Sequence, residues 1–169
     1  MKTSDPFLIH IIDDDEFFVK ALKHHLEESM KETIKTKWFS TGEEFLKQLP
    51  GERPDMVILD HILNSKLPFA MDGRSVLEKI RQSNARMPVI MLSGQNKIEV
   101  ALDAIRNGAN DYIVKNDNAF LKIHNVVKNT IRESFASQKR KFYAGWAAMV
   151  VSGIGVLSLG YMIFKMLFS

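Results

Sequence analysis

The sequence predicts a doubly wound α/β fold: one sheet of five parallel strands flanked by five helices, followed by one transmembrane helix. Three observations carry this. Short apolar runs alternate with segments of helical period, the pattern of parallel strands joined by right-handed crossovers. Three of the runs are almost wholly apolar, as suits strands buried on both faces of a sheet. A last stretch, Phe142 to Phe164, runs for 23 residues without a charge.

Phe7–Ile12 is the first predicted strand, and three adjacent aspartates follow it, Asp13, Asp14 and Asp15. Asp15 is expected to cap the first helix, with Glu16 opening it and Phe17, Phe18, Ala21, Leu22 and Leu26 forming its apolar stripe. Lys35–Phe39 is the second strand. Thr41-x-x-Glu44 has the spacing of a capping box and opens a helix through Leu49, which Pro50-Gly51 stops. Met56–Leu59 is the third strand, with a helix over Ser75–Arg81 after it. Val89–Leu92 is the fourth, followed by a helix over Lys97–Asn107 that Gly108 ends. Tyr112–Val114 is the fifth, and Phe120, Ile123, Val127, Ile131 and Phe135 mark the fifth helix.

Composition narrows the chemistry. The 169 residues suit one domain with something added, and 46% hydrophobic against 25% charged content supports a packed core. With no cysteine, disulfides, thiolate catalysis and Cys-type zinc sites are excluded. The five histidines do not cluster at ligand spacing; His24 and His25 are adjacent and point apart on a helix. The net charge of +3 is local: removing Lys139, Arg140, Lys141 and Lys165 from the 23 basic residues leaves 19 against 20 acidic ones. That distribution argues against a nucleic-acid-binding face on the main domain. The first residues lack the uninterrupted apolar core of a signal peptide.

In an open α/β sheet, ligands bind at the carboxyl ends of the strands. Asp13 and Asp14 stand at the end of the first predicted strand and Asp60 at the end of the third, in VILDH. Ser93 ends the fourth, in VIMLSG, and Lys115 the fifth, in DYIVK. Taken singly, a strand-end Asp is usually a helix cap and a strand-end Lys usually solvated. Together they form one cluster. Carboxylates without thiolate or imidazole make a hard-cation site, most simply for Mg²⁺. A cation beside a hydroxyl and an ammonium is what a phosphoryl group needs, since its charge is then neutralised on several sides.

At this point the chain resembles the receiver domain of bacterial two-component response regulators, over roughly residues 5 to 130. The residues that carry the resemblance are IIDDD, VILD, MDG at 71–73, PVIMLSG at 88–94 and GANDYIVK at 108–115. It implies a flavodoxin-like fold and a phosphoryl acceptor rather than an enzyme, with slow self-dephosphorylation at most. It implies that Asp60 accepts phosphate from a phosphohistidine on a histidine kinase. Asp13 and Asp14 would hold Mg²⁺ together with Asp60 and the backbone carbonyl of Ile62. Ser93 would bond a phosphoryl oxygen, Lys115 would pair with the phosphoryl group, and Tyr112 would be the aromatic switch residue. Two departures stand out. Asn116 follows Lys115 where the family usually has proline, which puts a cis peptide there in doubt. The segment HILNSKLPFA also lengthens the loop before MDG.

The tail reads differently. As a helix, 23 residues reach about 34 Å, enough to cross a hydrocarbon core of roughly 30 Å. Tyr143 and Trp146 suit one membrane interface and Tyr161 the other, and the basic residues before the span favour the cytoplasmic side. The expected organisation is a receiver domain over 1–135, a basic juxtamembrane linker over 136–141 and a transmembrane helix over 142–168. That makes a single-pass C-terminal anchor in the cytoplasmic membrane, with the receiver facing the cytoplasm. Ala144, Ala148 and Ser152, spaced by four, would permit a homodimer through the membrane helix. The expected function is a membrane-anchored single-domain response regulator, phosphorylated by a histidine kinase or exchanging phosphate with a phosphotransfer protein. Its rivals are a receiver-like interaction module that is never phosphorylated and a Mg²⁺-dependent aspartyl phosphatase. The haloacid dehalogenase class of such phosphatases needs a second aspartate where this chain has Ile62.

Overall fold

A computed structural model of the protein describes residues 6–63, 70–137, 139–140 and 143–144. The chain divides into two compact units, Met1–Val127 and Lys128–Ser169. The first contains a sheet of five parallel strands in the order β2-β1-β3-β4-β5. In chain order its elements are β1 (Phe7–Ile12), α1 (Glu16–Ser29), β2 (Ile34–Phe39), α2 (Gly42–Gln48), β3 (Met56–Asp60), α3 (Gly73–Ser83), β4 (Val89–Ser93), α4 (Ile98–Arg106) and β5 (Asp111–Val114). A fifth helix, α5, starts at residue 119, and Ala119, Ile123 and Val127 on it are buried. In the second unit, the described residues 128–137, 139–140 and 143–144 are helical.

Every residue of β3 and of β4 is buried, which only a sheet covered on both faces allows. One core cluster gathers Phe39, Val57, Leu59, Val89 and Met91 from the sheet with Phe45 of α2, Val76, Leu77 and Ile80 of α3, and Ala104 of α4. Each large side chain buried this way contributes about 1.5–3 kcal/mol. The predicted caps form. Asp15 accepts from the Phe17 and Phe18 amides, and Thr41 accepts from the Glu44 amide.

The structure corrects the first helix's stripe. Phe17 is 87% exposed, and the buried positions are Val19, Leu22 and Leu26. With Asp15 fixing the start, Phe17 lies two residues, about 200°, from Val19 and so on the opposite face. The third helix begins at Gly73 rather than Ser75, because the Asp72 side chain caps it by accepting from the Ser75 amide. The second stops at Gln48, one residue short of the expected Leu49. Gly108, after the fourth helix, has φ +100°, a conformation that L side chains rarely adopt. No peptide bond among the described residues is cis, Lys115–Asn116 included.

Residues 64–69 of the long loop lie outside the described residues, and so does the predicted transmembrane helix apart from 143–144. Among the described residues no helix is long and apolar enough to cross a membrane.

Candidate functional site

The sheet order puts β1 between β2 and β3, and β4 between β3 and β5. The ends of β1, β3, β4 and β5 therefore lie side by side, and each contributes to one cluster. The Asp13 backbone is tied to β2 on its far side: its amide donates to the Phe39 carbonyl at 3.1 Å and its carbonyl accepts from Trp38 Nε1 at 2.9 Å. Its Oδ1 accepts the Asp15 amide at 3.0 Å, leaving Oδ2 to face the cluster. Asp60 closes β3. Lys115 follows β5, its amide donating to the Ser93 carbonyl at 2.8 Å. The turn into α3 packs hard against the end of β3: a Cβ on Gly73 would lie 2.0 Å from the Asp60 carbonyl oxygen, so only glycine fits.

Asp13, Asp14 and Asp60 are all buried, and each offers a carboxylate oxygen within 4.8 Å of the others'. Lys115 Nζ stands 2.8 Å from Asp13 Oδ2 and 3.2 Å from Asp60 Oδ2. The Lys115 ammonium is thus shared between Asp13 Oδ2 and Asp60 Oδ2 and compensates the charge of both. Burial, and then the charge of Asp13, push the Asp60 carboxyl up to about 6 against the pull of Lys115. Burial also raises Asp13. Burial pulls the Lys115 ammonium down, but Asp13 and Asp60 outweigh it and hold the group above its ordinary value. The site is thus two strained carboxylates sharing one cation, with a third beside them. Three close, buried carboxylates suit a hard divalent cation.

Ser93 is fully buried, and its Oγ accepts the Gln95 amide at 3.0 Å. Tyr112 is half-buried and its hydroxyl donates to the Gln95 carbonyl at 2.8 Å. The predicted switch residue and the predicted phosphoryl-binding hydroxyl thus hold the same residue, Gln95, by its carbonyl and its amide. Ile62 lies two residues beyond Asp60 with its side chain 39% exposed.

The profile of the response regulator receiver domain matches residues 9–127. The chain belongs to that family. Receiver domains typically bind Mg²⁺ at an acidic cluster, and in this receiver Asp13, Asp14 and Asp60 provide one. Among curated relatives it is 33% identical over 107 residues to the alkaline phosphatase synthesis transcriptional regulatory protein PhoP of Bacillus subtilis, covering 63% of this chain and 41% of that one. It is 36% identical over 112 residues to a protein-glutamate methylesterase/protein-glutamine glutaminase of Trichodesmium erythraeum, covering 64% and 30%. The receiver therefore spans less than half the length of these relatives. Among solved structures it resembles the receiver domain of NtrX from Brucella abortus, with TM-score 0.64, 26% identity, and 73% of this chain and 98% of that one covered. A receiver domain protein from Methanospirillum hungatei gives TM-score 0.65 at 26% identity, covering 78% and 98%.

Three features of this receiver's site were not read from the sequence. Gln95 links Ser93 to Tyr112 through its backbone, which no side-chain pattern reveals. Gly73 packs on the Asp60 carbonyl; the MDG motif marked the position without its reason. Phe18 lies beside Lys115, and only the helix phase set by Asp15 could have singled it out from Phe17.

Proposed function

We propose that this receiver accepts a phosphoryl group on Asp60 from a phosphohistidine of a histidine kinase, or exchanges it with a phosphotransfer protein, while a membrane span holds it at the cytoplasmic membrane. The observation that carries the chemistry is the Lys115 ammonium between the Asp60 and Asp13 carboxylates at a buried sheet edge. An Asp60 oxygen attacks phosphorus, and the bond from phosphorus to the donor's imidazole nitrogen breaks, the nitrogen keeping the electron pair. Aspartate is a weak nucleophile, but phosphoryl transfer depends mainly on positioning and charge neutralisation. Lys115 offsets charge on the phosphoryl oxygens, and Ser93 donates its hydroxyl proton to one of them. Mg²⁺, held by Asp13, Asp14, Asp60 and the Ile62 carbonyl, would supply the remaining positive charge when bound.

Turning toward the phosphoryl group takes the Ser93 hydroxyl away from the Gln95 amide. That loosens Gln95, whose carbonyl Tyr112 grips, and Tyr112 then changes position as the switch. Incubation with a small phosphodonor and Mg²⁺ tests the acceptor: the parent chain is expected to gain one base-labile acyl phosphate, and Asp60→Asn none. Equal labelling of the variant refutes Asp60 as the nucleophile.

The membrane span rests on the 23 uncharged residues after Lys139-Arg140-Lys141. Membrane fractions washed with high salt and alkaline carbonate should retain the chain, because the attachment is hydrophobic. Recovery in the detergent-free supernatant refutes the span. Tethering raises the effective concentration of the receiver near membrane kinases.

A further inference from the structure

Lys115 has a neighbour that carboxylate chemistry does not require. Its ammonium nitrogen stands over the face of the Phe18 ring, 4.7 Å from the centroid. An aromatic face carries partial negative charge and attracts a cation within about 6 Å. The ring is itself held in place. Phe120 packs on it edge to face with centroids 5.3 Å apart, and His25 packs on Phe120 at 5.7 Å. At the other end, the Phe17 and Phe18 amides both donate to Asp15 Oδ1, so the cap that follows the metal-site aspartates also sets this side chain's direction. Phe17, one residue earlier, points to solvent.

The arrangement answers a physical problem. Lys115 must keep its charge aimed at Asp60, yet it sits nearer to Asp13, at 2.8 Å against 3.2 Å. It also borders an open hollow of about 360 Å³ shared with Phe18, Asn116, Asp117 and Phe120, room into which a flexible four-carbon stem could swing. A further carboxylate would restrain the ammonium but compete with the incoming phosphoryl group for it. An aromatic face restrains it with neither a formal charge nor a competing acceptor oxygen.

We propose that Phe18 is a positioning residue for phosphoryl transfer, its ring face holding the Lys115 ammonium within reach of the Asp13 and Asp60 carboxylates by a cation–π contact. The inference rests on the reading of Asp60 as acceptor. It is tested in the full chain, in mild detergent, with phenylalanine 18 replaced by mono-, di- and trifluorophenylalanine. Fluorine withdraws charge from the ring face while changing its shape little. Acetyl phosphate with Mg²⁺ is the donor, and the initial rate of acyl-phosphate formation and the donor concentration for half-maximal rate are both measured. The maximal rate should fall stepwise along the series, by about 3- to 10-fold at its end, with the half-maximal concentration little changed. Phe18→Trp should keep the rate, and Phe18→Leu should lose as much as the most fluorinated ring. In a Lys115→Ala background the series should be flat, whereas a purely structural ring would act in both backgrounds. Equal rates along the series, or the same decline without Lys115, overturn the proposal. If the unfluorinated chain takes no label, or Asp60→Asn takes as much, the acceptor reading itself fails and this inference falls with it.

Discussion

Replacing Asp60 with asparagine should make the metal-free protein more stable at neutral pH, even though it removes the carboxylate proposed as the acceptor. Asp60 is 5% exposed, and burial with the charge of Asp13 raises its carboxyl from 3.8 to about 6. A carboxyl whose folded pKa exceeds its unfolded value binds its proton more tightly in the folded state. Below pH 3.8 it is protonated in both states and carries no penalty; above pH 6 it is ionised in both and carries the full one. A shift of about two units corresponds to about 3 kcal/mol. Asparagine keeps the shape without the charge. In metal-free buffer Asp60→Asn should therefore gain up to about 3 kcal/mol over the parent at pH 8, and close to nothing at pH 4. Mg²⁺ should close the gap at pH 8, because it binds the parent's intact carboxylate set more tightly; at a hundred times the dissociation constant it contributes about 2.7 kcal/mol. Urea denaturation of the full chain in mild detergent, followed by circular dichroism with chelator and with Mg²⁺, measures both differences. A variant no more stable than the parent at pH 8 without metal refutes the account, as does an equal gain at pH 4, which would mean that packing rather than charge is at work.

Other residues give further tests. His10 is fully buried, with no hydrogen bond to either ring nitrogen and Glu52 Oε2 3.9 Å away; burial lowers it from 6.5 to about 4. Its contribution is present above pH 6.5 and lost as pH falls to 4, about 3 kcal/mol in all, and His10→Leu should remove that acid slope in pH-dependent denaturation. Gly73→Ala should cost more than 2 kcal/mol and slow labelling at Asp60, because the new Cβ collides with the Asp60 carbonyl; unchanged thermal denaturation and labelling would contradict that contact. Asp14→Ala should weaken Mg²⁺ binding, read by titration calorimetry, and phosphorylation together; parent-like Mg²⁺ affinity would remove Asp14 from the site. Tyr112→Phe should leave the labelling rate within about twofold but loosen the segment after β4, seen as faster amide exchange at Gln95 and its neighbours, since the bond to the Gln95 carbonyl is lost.

The sequence determined this protein's strands and most of its candidate site because both are written locally. A run such as VILD or VIMLS has to be buried on both faces whatever surrounds it, and the residue that ends it has to stand at the sheet edge. Asp15 and Thr41 likewise name their helix starts through bonds that span two or three residues. What the tertiary structure decided depends on neighbours far apart in the chain. The phase of α1 sends Phe17 outward and leaves Phe18 beneath an ammonium 97 positions later in the chain. The bond of Asp72 to the Ser75 amide moved the start of α3, and the fit of Gly73 against Asp60 explained a glycine that the motif only marked. The β2-β1-β3-β4-β5 order itself set four strand ends side by side, and so turned separately placed aspartates into a buried cluster in which the Asp13 and Asp60 carboxyls are raised. Sequence spacing can propose such a cluster, but its distances and its shared cation arise only when the strands pair, because burial and proximity are properties of the assembled sheet.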